Sequence, residues 1–240
     1  SLQFELRGIW GFFGAIALAA PFSVLFGYVY GKLLNKVKGE EMTIAMYVGF
    51  SFVMLMCIMW LILPYNSPTM VWGFAGKGLR TTITVEGYWL KILNNFLAIR
   101  IGRFFVFPTG LLLFVGFCAF CMWIFLKSKT GTAMTAVGSN PDYARASGVS
   151  ADKMRTISVI ISTFLGAVGI IVYQQSFGFI QLYTAPSPMV FPAVAAILIG
   201  GASVNKASMV NVLVGTFLFQ GLLTRAADDV NLVFKVGNFR

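Results

Sequence analysis

Residues 8–31, GIWGFFGAIALAAPFSVLFGYVYG, form an unbroken run without a charged side chain. A helix that crosses the hydrocarbon core of a bilayer, about 30 Å thick, needs about 20 mostly apolar residues. Comparable runs follow at residues 42–64, 104–126 and 207–224. The sequence therefore predicts an integral membrane protein with several spanning helices.

The composition of the whole chain agrees with this prediction. Of its 240 residues, 58% are hydrophobic and 11% are charged, whereas soluble domains carry about 25% charged residues. Eighteen Lys and Arg against eight Asp and Glu give a net charge of +10. Because these charges cluster between the apolar runs, they indicate loops at a membrane surface, and we predict no nucleic-acid partner.

Several chemistries are excluded by the residues that the chain lacks. It contains no histidine, which removes imidazole catalysis and histidine-ligated metals. Its three cysteines lie in apolar runs and are interpreted as packing residues. We therefore predict no catalytic residues, no metal site and no enzymatic activity on this chain.

The positions of the acidic residues bear on the energy source. None of the eight lies inside a predicted span, whereas ion-coupled transporters usually place ionisable groups at membrane depth. The chain also lacks the G-x-x-x-x-G-K-[ST] phosphate-binding loop. If ATP drives transport here, the nucleotide must therefore bind a partner.

The long uncharged stretch at residues 156–205 must contain more than one element. It is interrupted by TAPSP at residues 184–188, which predicts a span over 156–183 and a short helix over 192–203. About 12 helical residues do not cross a bilayer, so this piece is interpreted as a re-entrant helix. The predicted fold class is an all-α, polytopic membrane helix bundle with five to six membrane elements.

Orientation follows from the basic residues of the short loops. The loops at residues 32–41 and 127–155 both carry several Lys and Arg. An even number of spans separates them, so they lie on one side, which the positive-inside rule makes the cytoplasm. On the other side, the apolar stripe of residues 85–99 predicts an interfacial amphipathic helix.

The 127–155 loop contains a short helix with signals at both ends. Asn140 is a good N-cap, Pro141 suits the first helical position, and Gly148 suits the left-handed residue that ends a helix. These residues predict a helix over 141–147 that displays Asp142 and its neighbours Tyr143 and Arg145. Two interpretations stay open at this point, a docking element for another protein and a well-capped solvated loop.

The sequence of this loop, AVGSNPDYARASGV at residues 136–149, resembles the cytoplasmic loop of ATP-binding-cassette (ABC) importer permeases of the ribose, simple-sugar and nucleoside group. That family is shared with branched-chain amino acid permeases. Tyr143 departs from the alanine that is usual there. The matching residues are Ala136, Val137, Gly138, Asn140, Ala144, Arg145, Ser147, Gly148 and Val149.

A second segment strengthens the resemblance. Residues 194–223 contain two adjacent glycines, then small and polar residues, then a glycine-spaced apolar run, as in the same family. The residues that carry this match are Gly200, Gly201, Ala202 and Ser203.

The resemblance implies that residues 1–240 form a single transmembrane permease domain of the bacterial cytoplasmic (inner) membrane. Family members usually have more membrane elements than this, so we expect the domain to be incomplete at one or both ends. It implies a translocation path for a sugar or nucleoside and a coupling loop at residues 127–155 that docks a separate cytoplasmic ATPase. The docking residues are expected to be Gly138, Asn140, Pro141, Asp142, Tyr143, Ala144, Arg145, Ser147 and Gly148.

Partners follow from the same resemblance. They are the ATPase, a second permease copy or homologue, an extracytoplasmic solute-binding protein and membrane lipid. No cofactor is expected on this chain, and ATP and Mg²⁺ are expected on the ATPase. The alternative function is an ion-coupled secondary transporter.

Uncharged amides near or within the spans are the candidate residues of the path, because an amide hydrogen-bonds hydroxyl-rich solutes without adding charge. Amides also join helices inside bundles, which is the competing interpretation. The candidates are Gln174, Gln175, Gln181, Asn205, Asn211 and Gln220. Five glycines are expected instead to permit close helix approach, namely Gly166, Gly169, Gly200, Gly201 and Gly215.

Overall fold

A computed structural model describes residues 7–62, 82–84, 88, 90–101, 105–181, 187–203 and 207–237. Its helices are α1 Gly8–Lys36, α2 Glu41–Ile62, α3 Ile92–Asn95, α4 Thr109–Lys127, α5 Lys129–Ser139, α6 Pro141–Ala146, α7 Ala151–Phe177, α8 Ser187–Ile199 and α9 Met209–Gly237. Four three-residue strands, β1 Thr82–Thr84, β2 Ile99–Ile101, β3 Phe105–Phe107 and β4 Phe179–Gln181, form two antiparallel pairs, β1 with β4 and β2 with β3. The described part of the chain is thus mainly helical, with two small β-ladders.

In the part of the chain that the structure describes, five helices are long and apolar enough to cross a membrane, as the sequence predicts: α1, α2, α4, α7 and the first part of α9. Large apolar side chains along them, such as Trp10 and Phe217, are exposed on the protein surface. In water this exposure would be costly, but in a bilayer these side chains meet lipid. The all-α membrane bundle is therefore confirmed.

Several element boundaries differ from the prediction. α4 begins at Thr109 and not at residue 104, because residues 105–107 form β3. The short helix predicted over 192–203 is α8, Ser187–Ile199, and α7 begins at Ala151 and not at residue 156. α9 continues beyond Arg225 to Gly237, although only Met209–Ala226 has the composition of a span. These differences arise because charges and prolines locate the apolar segment but do not locate the ends of the helix.

The chain divides into two compact units, Ser1–Thr184 and Ala185–Arg240. In the second unit, α8 has 13 residues and spans about 20 Å at 1.5 Å per residue, which is too short to cross a bilayer. The backbone at the C-terminal end of α8 packs directly against the backbone of α9. A Cβ at Gly200 would overlap the Asn211 carbonyl, and a Cβ at Gly215 would overlap the Ala196 carbonyl.

The first unit is organised around the antiparallel packing of α1 against α7. A Cβ at Gly27 would lie 2.8 Å from the Ile160 Cα, and one at Gly31 would lie 3.0 Å from the Thr156 Cα. Two glycines on α1 therefore let the two backbones approach closely.

The glycine expectation is correct for Gly200 and Gly215 and wrong for Gly166 and Gly169. Among the residues that the structure describes, nothing lies within 4 Å of a Cβ built on either α7 glycine. The reason is geometric, since these two glycines face away from the α1 side of α7. Gly201 instead adopts a left-handed conformation (φ +84°) where the chain leaves α8.

The predicted amphipathic helix over residues 85–99 is wrong in the part that the structure describes. Helical structure is confined to α3, Lys91 and Leu97 have left-handed backbones (φ 51° and 52°), and β2 begins at Ile99. Leu93 is buried against Phe12 of α1. The apolar pattern therefore reflects the burial of a single helical turn on the bundle. A longer amphipathic helix is not needed to account for it.

Candidate functional site

The segment between α4 and α7 is helical along most of its length. After a sharp bend at Ser128, α5 occupies Lys129–Ser139, a helix that the sequence analysis missed. The Ser128 hydroxyl donates to the Phe125 carbonyl (2.6 Å) and accepts from the Gly131 amide (3.2 Å), so it caps the new helix. A Cβ at Gly131 would overlap the backbone of Phe125 and Leu126. The signal in the sequence was a capping serine, Ser128, followed by Met134 and Val137 at helical spacing.

α6 is the predicted short helix, and its boundaries agree with the prediction to one residue. The Asn140 side-chain oxygen accepts from the backbone amides of Asp142 (3.1 Å) and Tyr143 (3.0 Å). Pro141 occupies the first turn. At the other end Gly148 has φ +81°, and its amide donates to the Arg145 carbonyl at 3.0 Å. The caps predicted from the sequence are confirmed.

The base of α6 is fixed by a small apolar cluster. Val137 of α5, Ala144 of α6 and Ala151 of α7 are buried together. Val149 and Met154 pack against them. Because α6 has only six residues, it gains little from its own hydrogen bonds and depends on this cluster for its orientation.

The opposite face of α6 is open. The Tyr143 residue is 70% exposed, and the Asp142 side chain is 91% exposed. Asp142 and Arg145 form an ion pair within the helix at 3.4 Å, which is a weak contact at a solvated surface. The helix thus presents an aromatic ring flanked by two opposite charges. Of the other predicted docking residues, Gly138, Asn140, Pro141 and Ser147 are exposed, and Ala144 faces inward.

The turn between α1 and α2 lies beside the start of α7. Lys38 pairs with Asp152 (2.8 Å), and Glu41 pairs with Arg155 (2.6 Å). The Asn35 amide donates to the Asp152 carbonyl (2.8 Å). These contacts confirm that the 32–41 and 127–155 loops share one side of the bundle.

The amide candidates for the path lie in different parts of the chain. Gln174 and Gln175 are near the C-terminal end of α7, far from α6, and Gln181 lies in β4 opposite Thr82. In the second unit, Asn211 lies in the first turn of α9, and Gln220 is exposed farther along that helix. Asn205 lies outside the described residues.

The environment of the Gln175 side chain could not be predicted from the sequence. Its side chain is 0% exposed. Its amide nitrogen donates to Asn94 Oδ1 (2.8 Å) and Ser176 Oγ (2.9 Å), and its oxygen accepts from the Leu93 amide (3.3 Å). All of its polar atoms are thus occupied by protein groups, and the side chain joins α7 to α3.

The family profile described as branched-chain amino acid transport system / permease component matches residues 3–228. The chain belongs to this family. Its members are transmembrane permease subunits and not enzymes, and this permease is accordingly a multi-pass protein of the inner membrane.

Three named permeases are similar to this chain. The nucleoside ABC transporter permease protein NupB of Lactococcus lactis is 24% identical over 89% of this chain and 58% of its own length. The autoinducer 2 import system permease protein LsrC of Enterobacter sp. (strain 638) is 31% identical over 48% of this chain and 32% of its own length. The xylose/arabinose import permease protein XylH of Sulfolobus acidocaldarius is 28% identical over 51% of this chain and 35% of its own length.

The permease therefore spans little more than half the length of NupB and a smaller share of the other two. No solved structure matches the chain.

Proposed function

We propose that this permease is the membrane subunit of an ABC importer and that α6 docks a separate cytoplasmic ATPase. The observation that carries the proposal is the geometry of α6, a helix capped at both ends, packed at its base and exposed at Asp142, Tyr143 and Arg145. A solvated connector needs neither the caps nor the buried base. A rigid knob with an aromatic centre is the type of surface that anchors protein interfaces.

The connection from α6 to α7 supports transmission of a docking movement. Gly148 turns the chain in a left-handed conformation, and the Val149 amide donates to the Ala144 carbonyl (2.9 Å). Ala144 and Ala151 are buried in the same cluster. A displacement of α6 is therefore passed to the first turn of α7, a helix long enough to span the membrane.

The ATPase supplies the ATP and Mg²⁺ chemistry in this proposal, and this chain supplies part of the path. A solute-binding protein outside the membrane and a second permease copy or homologue complete the importer. The names of the relatives, with nucleoside and xylose/arabinose among them, favour a small, uncharged, hydroxyl-rich solute. Of the described amides, Gln174 and Gln220 are better candidates for contact with that solute than Gln175, whose polar atoms are already paired, or Asn211, whose oxygen accepts from the Ser208 hydroxyl.

The test of docking uses the importer reconstituted in vesicles with its ATPase. We expect Tyr143→Ala and Arg145→Glu to insert normally and to lower solute-stimulated ATP hydrolysis and uptake about tenfold, the loss expected when an interface anchor is removed. Tyr47→Ala is the matched control, because Tyr47 is similarly exposed (67%) but lies on α2.

Two results would contradict the proposal. One is normal coupling in both α6 variants. The other is uptake by ATP-depleted vesicles under an ion gradient alone, which would establish the secondary transporter instead. The solute is then identified by the ligand that co-purifies with the binding protein.

A further inference from the structure

We infer that the ATPase-docking surface extends from the exposed face of α6 into a cleft with two walls, α6 on one side and the α1–α2 turn at residues 37–41 on the other, and that this cleft receives an acidic projection of the ATPase. The inference rests on the proposed function and extends it to a second part of the chain. The sequence motif points only to α6 and gives no indication of the turn.

The first observation is the cleft itself, a concavity of about 560 Å³. Lys38 and Glu41 line it from the turn, and Pro141, Asp142 and Arg145 line it from α6. Its remaining lining comes from α5 and from the start of α7 and is largely apolar, with Met134, Val137, Ala151 and Met154. The chain has thus built an open depression beside the docking helix, where a convex partner segment buries apolar atoms and meets charges at the rim.

The second observation is that ion pairs connect the turn to α7. The Lys38–Asp152 and Glu41–Arg155 pairs tie residues on both sides of Gly39 to the first turns of α7. Glu41 also accepts from the Gly39 amide (3.0 Å). Because Asp152 and Arg155 lie at the start of α7, shortly after α6 in the chain, both walls of the cleft are attached to the same end of α7. They therefore move together when α7 moves.

The third observation is the sign of the charge around the cleft. The side chains that line the cleft include three cations, Lys38, Arg145 and Arg155, and two anions, Glu41 and Asp142, a net charge of +1. The Glu41 carboxylate is neutralised by Arg155 within the cleft, whereas the partner of Lys38, Asp152, does not line it. Charge complementarity therefore favours an acidic segment on the ATPase.

The extent of the surface is tested by cross-linking in the assembled importer. A cysteine-free chain is made by replacing Cys57, Cys118 and Cys121 with alanine and is first shown to retain uptake. Single cysteines are then introduced by Glu40→Cys on the turn, Asp142→Cys on α6 and Thr132→Cys on α5, all at exposed positions. Each is labelled with a thiol-linked benzophenone and irradiated.

We expect the ATPase to be captured from positions 40 and 142 and not from position 132. Position 142 lines the cleft and position 40 adjoins the lining residue Glu41, whereas neither position 132 nor its chain neighbours line it. Capture from 142 without capture from 40 overturns this inference and leaves the docking role of α6 intact. Failure of capture from 142 overturns the proposed function itself. Equal capture from 132 overturns the two-walled cleft as the specific contact.

The acidic character of the partner is tested by a charge swap. Lys38→Asp removes the internal ion pair and the cation in the cleft, and we expect it to lower ATPase affinity roughly tenfold at low salt. Lys38→Asp with Asp152→Lys restores an internal pair but moves the cation out of the cleft. The double variant is expected to regain the thermal stability of the permease and not its affinity for the ATPase. Recovery of both would show that Lys38 only shapes the turn and would overturn the acidic partner.

Discussion

The two ends of α7 are held to the rest of the bundle by different chemistry. At the N-terminal end, ion pairs from Asp152 and Arg155 reach the α1–α2 turn, with half-exposed side chains. At the C-terminal end, the buried amide of Gln175 is bonded to α3, next to the apolar pair Phe12 and Leu93. The ends lie about 40 Å apart, since 27 residues rise about 1.5 Å each.

The difference shows which interactions suit each environment. Exposed ion pairs in water contribute little stability, so this end can yield more easily than the other, as the proposed docking of an ATPase requires. A buried and fully bonded amide is costly to disturb, because each lost bond leaves an unpaired polar group. We therefore expect the Gln175 end to be the rigid anchor of α7 and the Asp152 end to be its adjustable end.

The largest effect is expected when the buried amide of Gln175 is removed, which tests whether this end of α7 is the rigid one. Gln175→Ala leaves the Leu93 amide without its partner, removes one of the two donors to Asn94 Oδ1 and opens a cavity, so we expect a loss of about 3 kcal/mol in the free energy of unfolding. The measurement is chemical unfolding in micelles followed by tryptophan fluorescence. Gln174→Ala is the matched control, since the Gln174 side chain is only partly buried, and equal losses in the two variants would contradict the anchor.

The helix contact between the two ends is the next test. In Gly27→Ala the new methyl meets the Ile160 backbone, which cannot yield as a flexible side chain does. We expect a loss of about 2 kcal/mol from overpacking. Gly166→Ala is the control, because its methyl enters open space and the higher helix propensity of alanine favours a neutral or slightly stabilising effect. A loss of similar size in both variants would show that α1 does not contact α7 in this way.

At the adjustable, N-terminal end of α7, removal of the N-cap of α6 should have a moderate effect on local stability. Asn140→Ala removes the acceptor for the Asp142 and Tyr143 amides, and we expect a cost of about 1 kcal/mol, confined to α6. Hydrogen exchange of the α6 amides measures this local opening. Asn140→Asp keeps an acceptor and should preserve protection, so faster exchange in both variants would contradict the role of the cap.

The smallest effect is expected for the ion pair between Glu41 and Arg155. Both side chains are about one-third exposed, so we expect Arg155→Gln to change the unfolding midpoint only slightly. High salt should remove the difference between the variant and the parent chain, because it screens the pair in the parent. A change larger than that of Asn140→Ala, or one that persists in high salt, would show that this end is as rigid as the other.

Most of the membrane architecture was predictable from sequence. The runs of uncharged residues indicated the five spanning helices, because lipid excludes charge from about 20 consecutive positions. α6 was predictable to one residue because its caps are local, with Asn140, Pro141 and Gly148 acting within one or two turns. The basic loops placed the two charged segments on one side, which the ion pairs confirm.

What sequence reasoning missed depends on contacts between distant residues. It assigned close packing to Gly166 and Gly169 of α7, whereas the closely packed glycines of the contact between α1 and α7 lie on α1. It predicted a helix at residues 85–99, where burial of Leu93 on Phe12 leaves a single turn. It also treated Gln175 as one amide among six, although a hydrogen-bond network surrounds it.

By itself, then, the sequence determined the solvent of each segment and the local ends of α6, since hydrophobic length and capping act over neighbouring residues. Only the tertiary structure decided which face of α7 meets α1, why Gln175 is buried, and that the α1–α2 turn stands beside α6. These features depend on pairs such as Lys38 and Asp152, which are far apart in the chain and meet only when the helices pack.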